Sequence, residues 1–434
     1  MLQMLTIYFV GAAAGLFLVM LFVRKFEYHG FTVALAINIF PLAFIPQVSM
    51  EVARLAGVPL SYLPFYGAAL GMLAKTRVSI YKRHRQIFHL FVLFTFYLIF
   101  LSIPRSPSFS TLAYVLVWPI NFFLFLGACS KFSRCDERVA ITVLKHTVFV
   151  LVLGCIVGII RFSIGLASDS NFMQTVNRNG TVVVVALLLP LIPHLQTKGS
   201  ITRAQAVTYI CVVLLTLVLM LSRSGLIGAL VGLVLYYVRF NARAVGFVLF
   251  AVLFFGLVLL SGIAEGVVER FSGTLSTLVF LHEGGELERG MADYTRFELL
   301  RSAIGVIFNN PWFGSGIGLE NYRHALEDVG DVFRDSRPHN FYLSYLAELG
   351  LVGFTMLILT FSAIYRKLGP YKGDGRIYKV CFIVMAVMMT MNQYIVLPEL
   401  WFIFGMFSGL AYRSAMPRRL VLQHVRPGGC HEPC

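Results

Sequence analysis

The sequence predicts an all-α, multi-pass membrane protein, and three observations lead there. Leu-, Val- and Phe-rich runs recur along the whole chain, each roughly 16–22 residues long, the length a helix needs to cross about 30 Å of hydrocarbon. Charged residues are 13% of the 434, where a soluble domain carries about 25%. The runs lack the period-two alternation of membrane-barrel strands, which excludes a β-barrel.

In chain order the apolar spans fall at 4–23, 30–48, 57–74, 87–103, 109–129, 139–160, 180–195, 204–221, 225–238, 244–262, 341–365, 378–396 and 400–413. That makes 13 membrane helices, or 12 if the short second and third spans form a re-entrant feature. The first run, Met4 to Val23, has no basic residues before it and no small-residue cleavage site after it, so it reads as a retained helix. Arg413, Arg418, Arg419 and Arg426 put the C-terminal tail inside by the positive-inside rule. Working back from the tail, the inner loops are Lys75 to Arg85, Lys131 to Arg138, Lys198 to Arg203, Arg239 to Arg243 and Arg366 to Lys379. The outer segments are 104–108, 161–179, 222–224, a long loop at 263–340, and Leu397-Pro398-Glu399. Residues 1–434 thus form a single membrane domain, with residues 263–340 inserted as its one extended polar segment.

Within that loop, Tyr294 to Phe308 has helical periodicity, with Phe297, Leu300, Ile304 and Phe308 on one face and Arg296, Glu298 and Arg301 turned away. Pro311 ends this helix. The apolar face is expected to lie against the membrane domain or the interfacial lipid. The glycines of Trp312-Phe313-Gly314-Ser315-Gly316-Ile317-Gly318 permit turns that other residues cannot make. A second helix is expected from Glu320 to Leu326. The loop reads as a lid over a membrane cavity.

The net charge of +15 is unevenly distributed, and its distribution points to a membrane topology and not to a nucleic-acid partner. All nine lysines fall on the inner side or at its border, whereas the outer side keeps twelve arginines and no lysine. Arginine offers a permanently charged, bidentate fork suited to phosphate. Many of these arginines can pair with the twelve acids of the long loop. Arg161, Arg178 and Arg223 have almost no acid near them in sequence, Asp169 being the exception, and at a membrane boundary they suit an anionic ligand.

Arg223 lies in the tight turn Ser222-Arg223-Ser224-Gly225, where small polar residues would suffice. It reads as a phosphate clamp, the alternative being a side chain that snorkels to lipid headgroups. Asn177-Arg178-Asn179-Gly180 opens the next span toward the same side, as a phosphate or sugar contact or as a helix cap. Arg296 and Arg301, on the polar face of the loop helix, are open to the same choice between substrate and salt bridge. His339 is the candidate base. Pro338 fixes its backbone and Asn340 can orient a ring nitrogen. A free imidazole titrates near pH 6.5 and can accept a proton at neutral pH; the duller alternative is a surface or helix-capping histidine.

The seven cysteines form no disulfide framework, because the long outer loop has none. Cys430-His431-Glu432-Pro433-Cys434 looks like a metal tail but reads as incidental. The early outer loops lack paired acids of the Asp-x-Asp kind that hold Mg²⁺ or Mn²⁺. Metal-independent chemistry with no cofactor is therefore expected. The glycine-rich run follows a helix rather than a strand, so it is no nucleotide fingerprint.

Ser222-Arg223-Ser224-Gly225, Arg296, Asn310-Pro311-Trp312-Phe313-Gly314-Ser315-Gly316, His339-Asn340-Phe341-Tyr342-Leu343 and Glu348-Leu349-Gly350-Leu351-Val352-Gly353 occur in that order. In this the chain resembles the O-antigen ligase/polymerase superfamily, specifically over about residues 175–355 and by hydropathy elsewhere. The resemblance implies a bacterial inner-membrane glycosyltransferase with a GT-C-like helical fold and its active site facing the periplasm. Such enzymes take a glycan from undecaprenyl diphosphate and pass it to lipid A–core, to another lipid-linked glycan, or to a protein. Polymerases are associated with Arg-x10-Gly repeats in two outer loops, and no outer arginine here has a glycine eleven positions later. Protein-glycosylating members tend to carry an added C-terminal soluble region. The resemblance therefore favours the ligase. In that reading His339 is catalytic, and Arg223, Arg161, Arg178 and Arg296 hold the donor diphosphate, supported by Asn340, Asn179 and Ser222. A lipid or glycan transporter would instead place ionisable residues near the bilayer midplane and show two related halves. A silent scaffold would leave Arg223 and His339 without a purpose.

Overall fold

Local caps set where helices of this chain begin, and close packing sets how they lie against one another. The computed structural model describes residues 84–165, 178–220, 222–237, 294–330, 337–369, 374–391 and 398–414, with short pieces at 28–29, 32–33, 36, 54–55, 58–59 and 66–67. The expected spans 4–23 and 244–262, nearly all of 30–48 and 57–74, loop residues 263–293 and the Cys430–Cys434 tail lie outside the described residues. Arg54–Leu55 (β1) and Val58–Pro59 (β2) make a minimal antiparallel pairing, a small departure from the all-helical expectation. The rest of the regular structure among the described residues is helical.

The helices are α1 (Arg85–Arg105), α2 (Phe109–Phe132), α3 (Glu137–Ser163), α4 (Arg178–Leu188), α5 (Leu191–Thr197), α6 (Arg203–Leu219), α7 (Arg223–Tyr237), α8 (Tyr294–Asn309), α9 (Leu319–Asp328), α10 (Phe341–Lys367), α11 (Asp374–Met388) and α12 (Pro398–Ser414). Among the described residues α1, most of α2, α3 and α10 are each long and apolar enough to cross a membrane. The chain is a multi-pass membrane protein. Starts are set by local caps. Ser108 Oγ accepts the Thr111 N–H at 3.1 Å, and Thr202 and Gln205 form a reciprocal capping box ahead of α6. The span expected at 180–195 is split into α4 and α5 at Leu189-Pro190, because proline has no N–H to continue the ladder.

Contacts fix the direction of each helix. Glycines 405 and 409 let α12 lie against α2, where a Cβ on Gly409 would fall 2.6 Å from the Cys129 carbonyl; small residues allow this approach where larger ones would not. Added Cβ atoms on Gly225 and Gly232 would meet Val182 at 2.5 Å and Pro190 at 2.7 Å, so α4 and α7 run parallel, beginning side by side. Gly228 and Gly232 meet Met388 and Val384 in turn, so α11 runs antiparallel to α7. The Lys198–Glu137 ion pair at 3.1 Å and the Cys155–Thr216 hydrogen bond align α3 with α6 in the same direction. The arrangement is therefore up and down. One end of the array carries Arg105, Arg161, Ser222, Arg223 and residues 337–341, and the other carries Lys131, Arg138, Lys198, Arg203, Arg366 and Lys367. Between them an aromatic core forms around Trp118, whose ring lies 5.7 Å from Tyr345 and 5.9 Å from Trp401.

One sequence expectation changes here and a second narrows. The span at 341–365 was read as one helix, yet α10 breaks at Gly350, which adopts φ 61° and ψ −175°. The apolar stripe of α8, expected against the membrane domain or the interfacial lipid, does not pack on the protein at Ile304 and Phe308. Leu299, Ser302, Ala303 and Val306 are buried, Val306 meeting Ala347 of α10 and Tyr322 of α9, while Ile304 is 44% and Phe308 78% exposed. Ser302 and Ala303 let the helix approach closely, and the larger side chains are left facing outward beside exposed Trp312 and Phe313.

Candidate active site

The break at Gly350 frees backbone groups that a continuous helix would pair internally, and residues 311–316 take them up. Ser315 N–H donates to the Ala347 carbonyl at 2.9 Å and Gly316 N–H to the Glu348 carbonyl at 2.8 Å. In return Leu351 N–H donates to Pro311 at 2.8 Å and Val352 N–H to Trp312 at 3.1 Å. Backbone groups on both sides of the break are thus paired across it. The glycine-rich run, read from sequence as a turn, is a strap bound across a broken helix.

α1 holds the strap from the other side. The Tyr97 hydroxyl lies between the carbonyls of Leu349 (2.5 Å) and Phe313 (3.1 Å), able to donate to one at a time, and Gly353 leaves room for its ring. Arg105 donates to the Gly314 carbonyl, and Ser102 Oγ accepts from the Ile317 N–H at 2.9 Å. Asn321 of α9 donates to the carbonyls of Ser102 (3.2 Å) and Ile317 (2.9 Å).

Glu348 connects this strap to the histidine segment. Its carboxylate accepts the Gly318 N–H at 3.0 Å through Oε2, and Oε1 lies 2.8 Å from Nε of Arg337. Glu348 is 1% exposed and Arg337 13%. The Arg337 guanidinium also sits over the Tyr114 ring, 5.0 Å from its centroid. Burial works against the arginine's charge, but the Glu348 carboxylate together with Tyr114, Tyr345 and Tyr322 outweighs it and holds its pKa above the ordinary value.

Beyond Arg337 the chain is pinned on both sides of His339. Pro338 is buried and its carbonyl accepts Ser344 Oγ at 2.8 Å. Asn340 Oδ1 accepts the Leu343 N–H at 3.0 Å, so this oxygen caps α10. Phe341 N–H donates to the Met389 carbonyl at the end of α11, at 2.9 Å. His339 itself is exposed.

The arginines fall as follows. Arg161 is buried (7% exposed) at the last turn of α3, six residues beyond Cys155, which pairs with Thr216, and so level with Ser222. Arg223 is half-buried at the first position of α7, and Ser222 Oγ caps that helix by accepting the Gly225 N–H at 3.2 Å. Arg178 and Asn179 open α4, whose start adjoins that of α7; their side chains lie outside the described residues. Met388 of α11 packs on Gly228 of α7 while its neighbour Met389 binds Phe341, so the end of α11 contacts both α7 and the chain just after His339. Arg161, Arg223, His339 and the backbone of Arg178 therefore share one end of the array. Arg296 does not join them through any described contact. It falls in the first turn of α8, thirteen residues or roughly 20 Å of helix before Asn309.

The fold and site thus define a multi-pass helical membrane protein with arginines, paired helix starts and a histidine at one end of the array. Residues 207–358 match the family model described as O-antigen ligase. That stretch runs from α6 into α10, contains every motif of the resemblance, and supports placing the chain in the O-antigen ligase/polymerase superfamily. Members of the family are glycosyltransferase-like enzymes with glycan and lipid substrates. No curated protein matches the chain.

Sequence reasoning passed over Tyr97, Ser102, Arg105, Arg337 and Glu348 as parts of this region. One signal was available: Glu348 is the sole acid within the apolar span 341–365, and an intramembrane acid calls for a named partner. Arg337 was counted only among the outer arginines able to pair with an acid.

Proposed function

We propose that the chain is an O-antigen ligase of a bacterial inner membrane, moving the O-antigen glycan from undecaprenyl diphosphate to lipid A–core on the periplasmic side. What carries the reading is that Arg161, Arg223 and His339 share one end of the array in a chain that matches this family over residues 207–358. In the proposed reaction the guanidinium groups of Arg223, Arg161, Arg178 and Arg296 hold the donor diphosphate. The parallel starts of α4 and α7 add the positive ends of two helix dipoles. A His339 ring nitrogen takes the proton from the acceptor hydroxyl as its oxygen attacks the anomeric carbon. A sugar hydroxyl is too weak an acid to ionise beforehand, so proton loss accompanies attack. The bond from the anomeric carbon to the diphosphate oxygen breaks, and the leaving diphosphate keeps the electron pair under the field of the arginines. One displacement with no protein nucleophile inverts the anomeric centre.

The reaction is proposed to need no metal, since fixed cations fill the charge-neutralising role a divalent ion fills elsewhere. Purified protein reconstituted with undecaprenyl-diphosphate-linked glycan and lipid A–core tests the proposal. Glycosylated lipid A–core, formed equally with and without EDTA, is the expected product. Elongated lipid-linked glycan instead would make the enzyme a polymerase. No product with either acceptor would remove the enzymatic reading.

A further inference from the structure

We propose that Arg337 and Glu348 are positioning residues that hold His339 in place, coupling it to the glycine-rich strap; the inference rests on the reading of His339 as the base. The geometry forms one connected path. Gly318 N–H binds Glu348 Oε2, Glu348 Oε1 meets Arg337 Nε, and two peptide bonds later comes His339. The same glutamate's backbone carbonyl takes Gly316 N–H, so a single residue grips the strap twice and the histidine segment once. On the far side, Asn340 and Phe341 fix the chain to α10 and α11. The backbone is thereby held before and after His339, which is the one exposed residue of 337–340. Without the ion pair, the anchors at Pro338, Asn340 and Phe341 remain but the chain ahead of Pro338 is released from the strap.

A latch made only for folding would be met equally well by an apolar pair, and a buried ion pair gains little stability over one. Its use at this position is geometric, because a base displaced by about 1 Å can lose on the order of 100-fold in rate.

The test compares Glu348→Gln, Glu348→Asp and the double variant Arg337→Met/Glu348→Leu with wild type and with His339→Ala, in the reconstituted transfer assay. Glu348→Gln keeps an acceptor for Gly318 while removing the charge, and the double variant leaves no buried charge unpaired. For the folded fraction of each, kcat is expected to fall about 10- to 100-fold, with KM for the undecaprenyl-linked donor changed less than about twofold and partial recovery in Glu348→Asp. Unchanged kcat in either folded variant, or a rise in donor KM without loss of kcat, would overturn the proposal. The His339→Ala arm stands apart. Full activity there sinks the assignment of the base itself, whereas an inactive His339→Ala beside a fully active Glu348→Gln sinks only the latch.

Discussion

Gly314 and Gly350, distant in sequence, face each other backbone to backbone so closely that a Cβ on either would run into the peptide nitrogen of the other. Both also have positive φ, 66° and 61°. This contact is where the strap crosses the broken helix, and it gives the two glycine-containing motifs one shared purpose. Gly314→Ala and Gly350→Ala are each expected to cost more than about 1 kcal/mol, because neither the space nor the backbone conformation admits a side chain. Thermal unfolding in detergent should show a lowered midpoint for both. A midpoint equal to wild type would mean the strap does not sit as described.

Arg337→Ala leaves the Glu348 carboxylate buried without its counter-charge. Losing one member of a buried pair typically costs about 3–5 kcal/mol, so this variant should be the least stable of the set. Replacing both residues by Met and Leu should restore most of the loss. If the single and double variants melt alike, the pair is not the buried contact seen here.

Arg223→Lys keeps the charge and loses the fork. If Arg223 grips a diphosphate through paired N–H groups, kcat/KM for the lipid-linked donor should drop at least about tenfold. Radiolabelled donor turnover measures this directly, and wild-type kinetics would reduce Arg223 to a headgroup contact.

His339→Ala should abolish transfer and leave donor binding close to wild type, because the imidazole is assigned to the acceptor proton and not to the diphosphate. Binding of lipid-linked glycan by the variant, measured beside its turnover, separates the two roles. Loss of binding together with activity would place His339 on the donor instead.

The outward stripe of α8 and the strap makes a spectroscopic prediction. The chain has three tryptophans: Trp118 and Trp401 are 1% and 2% exposed, and Trp312 is 62% exposed. In nanodiscs, brominated lipids should quench Trp312 and spare the other two, since an aromatic residue beside exposed Phe308 and Phe313 suits the bilayer interface. A Trp312→Phe variant identifies the signal. Quenching that persists undiminished in that variant would refute the interfacial placement.

By itself the sequence determined the class of the protein, because spanning a membrane demands long apolar helices whatever else the chain does. It also located α1, α2, α3, α6 and α7 to within a few residues, since hydropathy and capping residues are local signals. It named Arg161, Arg223 and His339 from charge in short loops and from an ordered set of motifs. Only the tertiary structure decided that α10 breaks at Gly350, that the glycine run is a strap closing that break, and that Leu299, Ser302, Ala303 and Val306 rather than Ile304 and Phe308 define the buried side of α8. The Arg337–Glu348 pair belongs there too. Backbone pairing across the break and close approach at glycine depend on which surfaces meet, and periodicity along one segment carries no record of its partner.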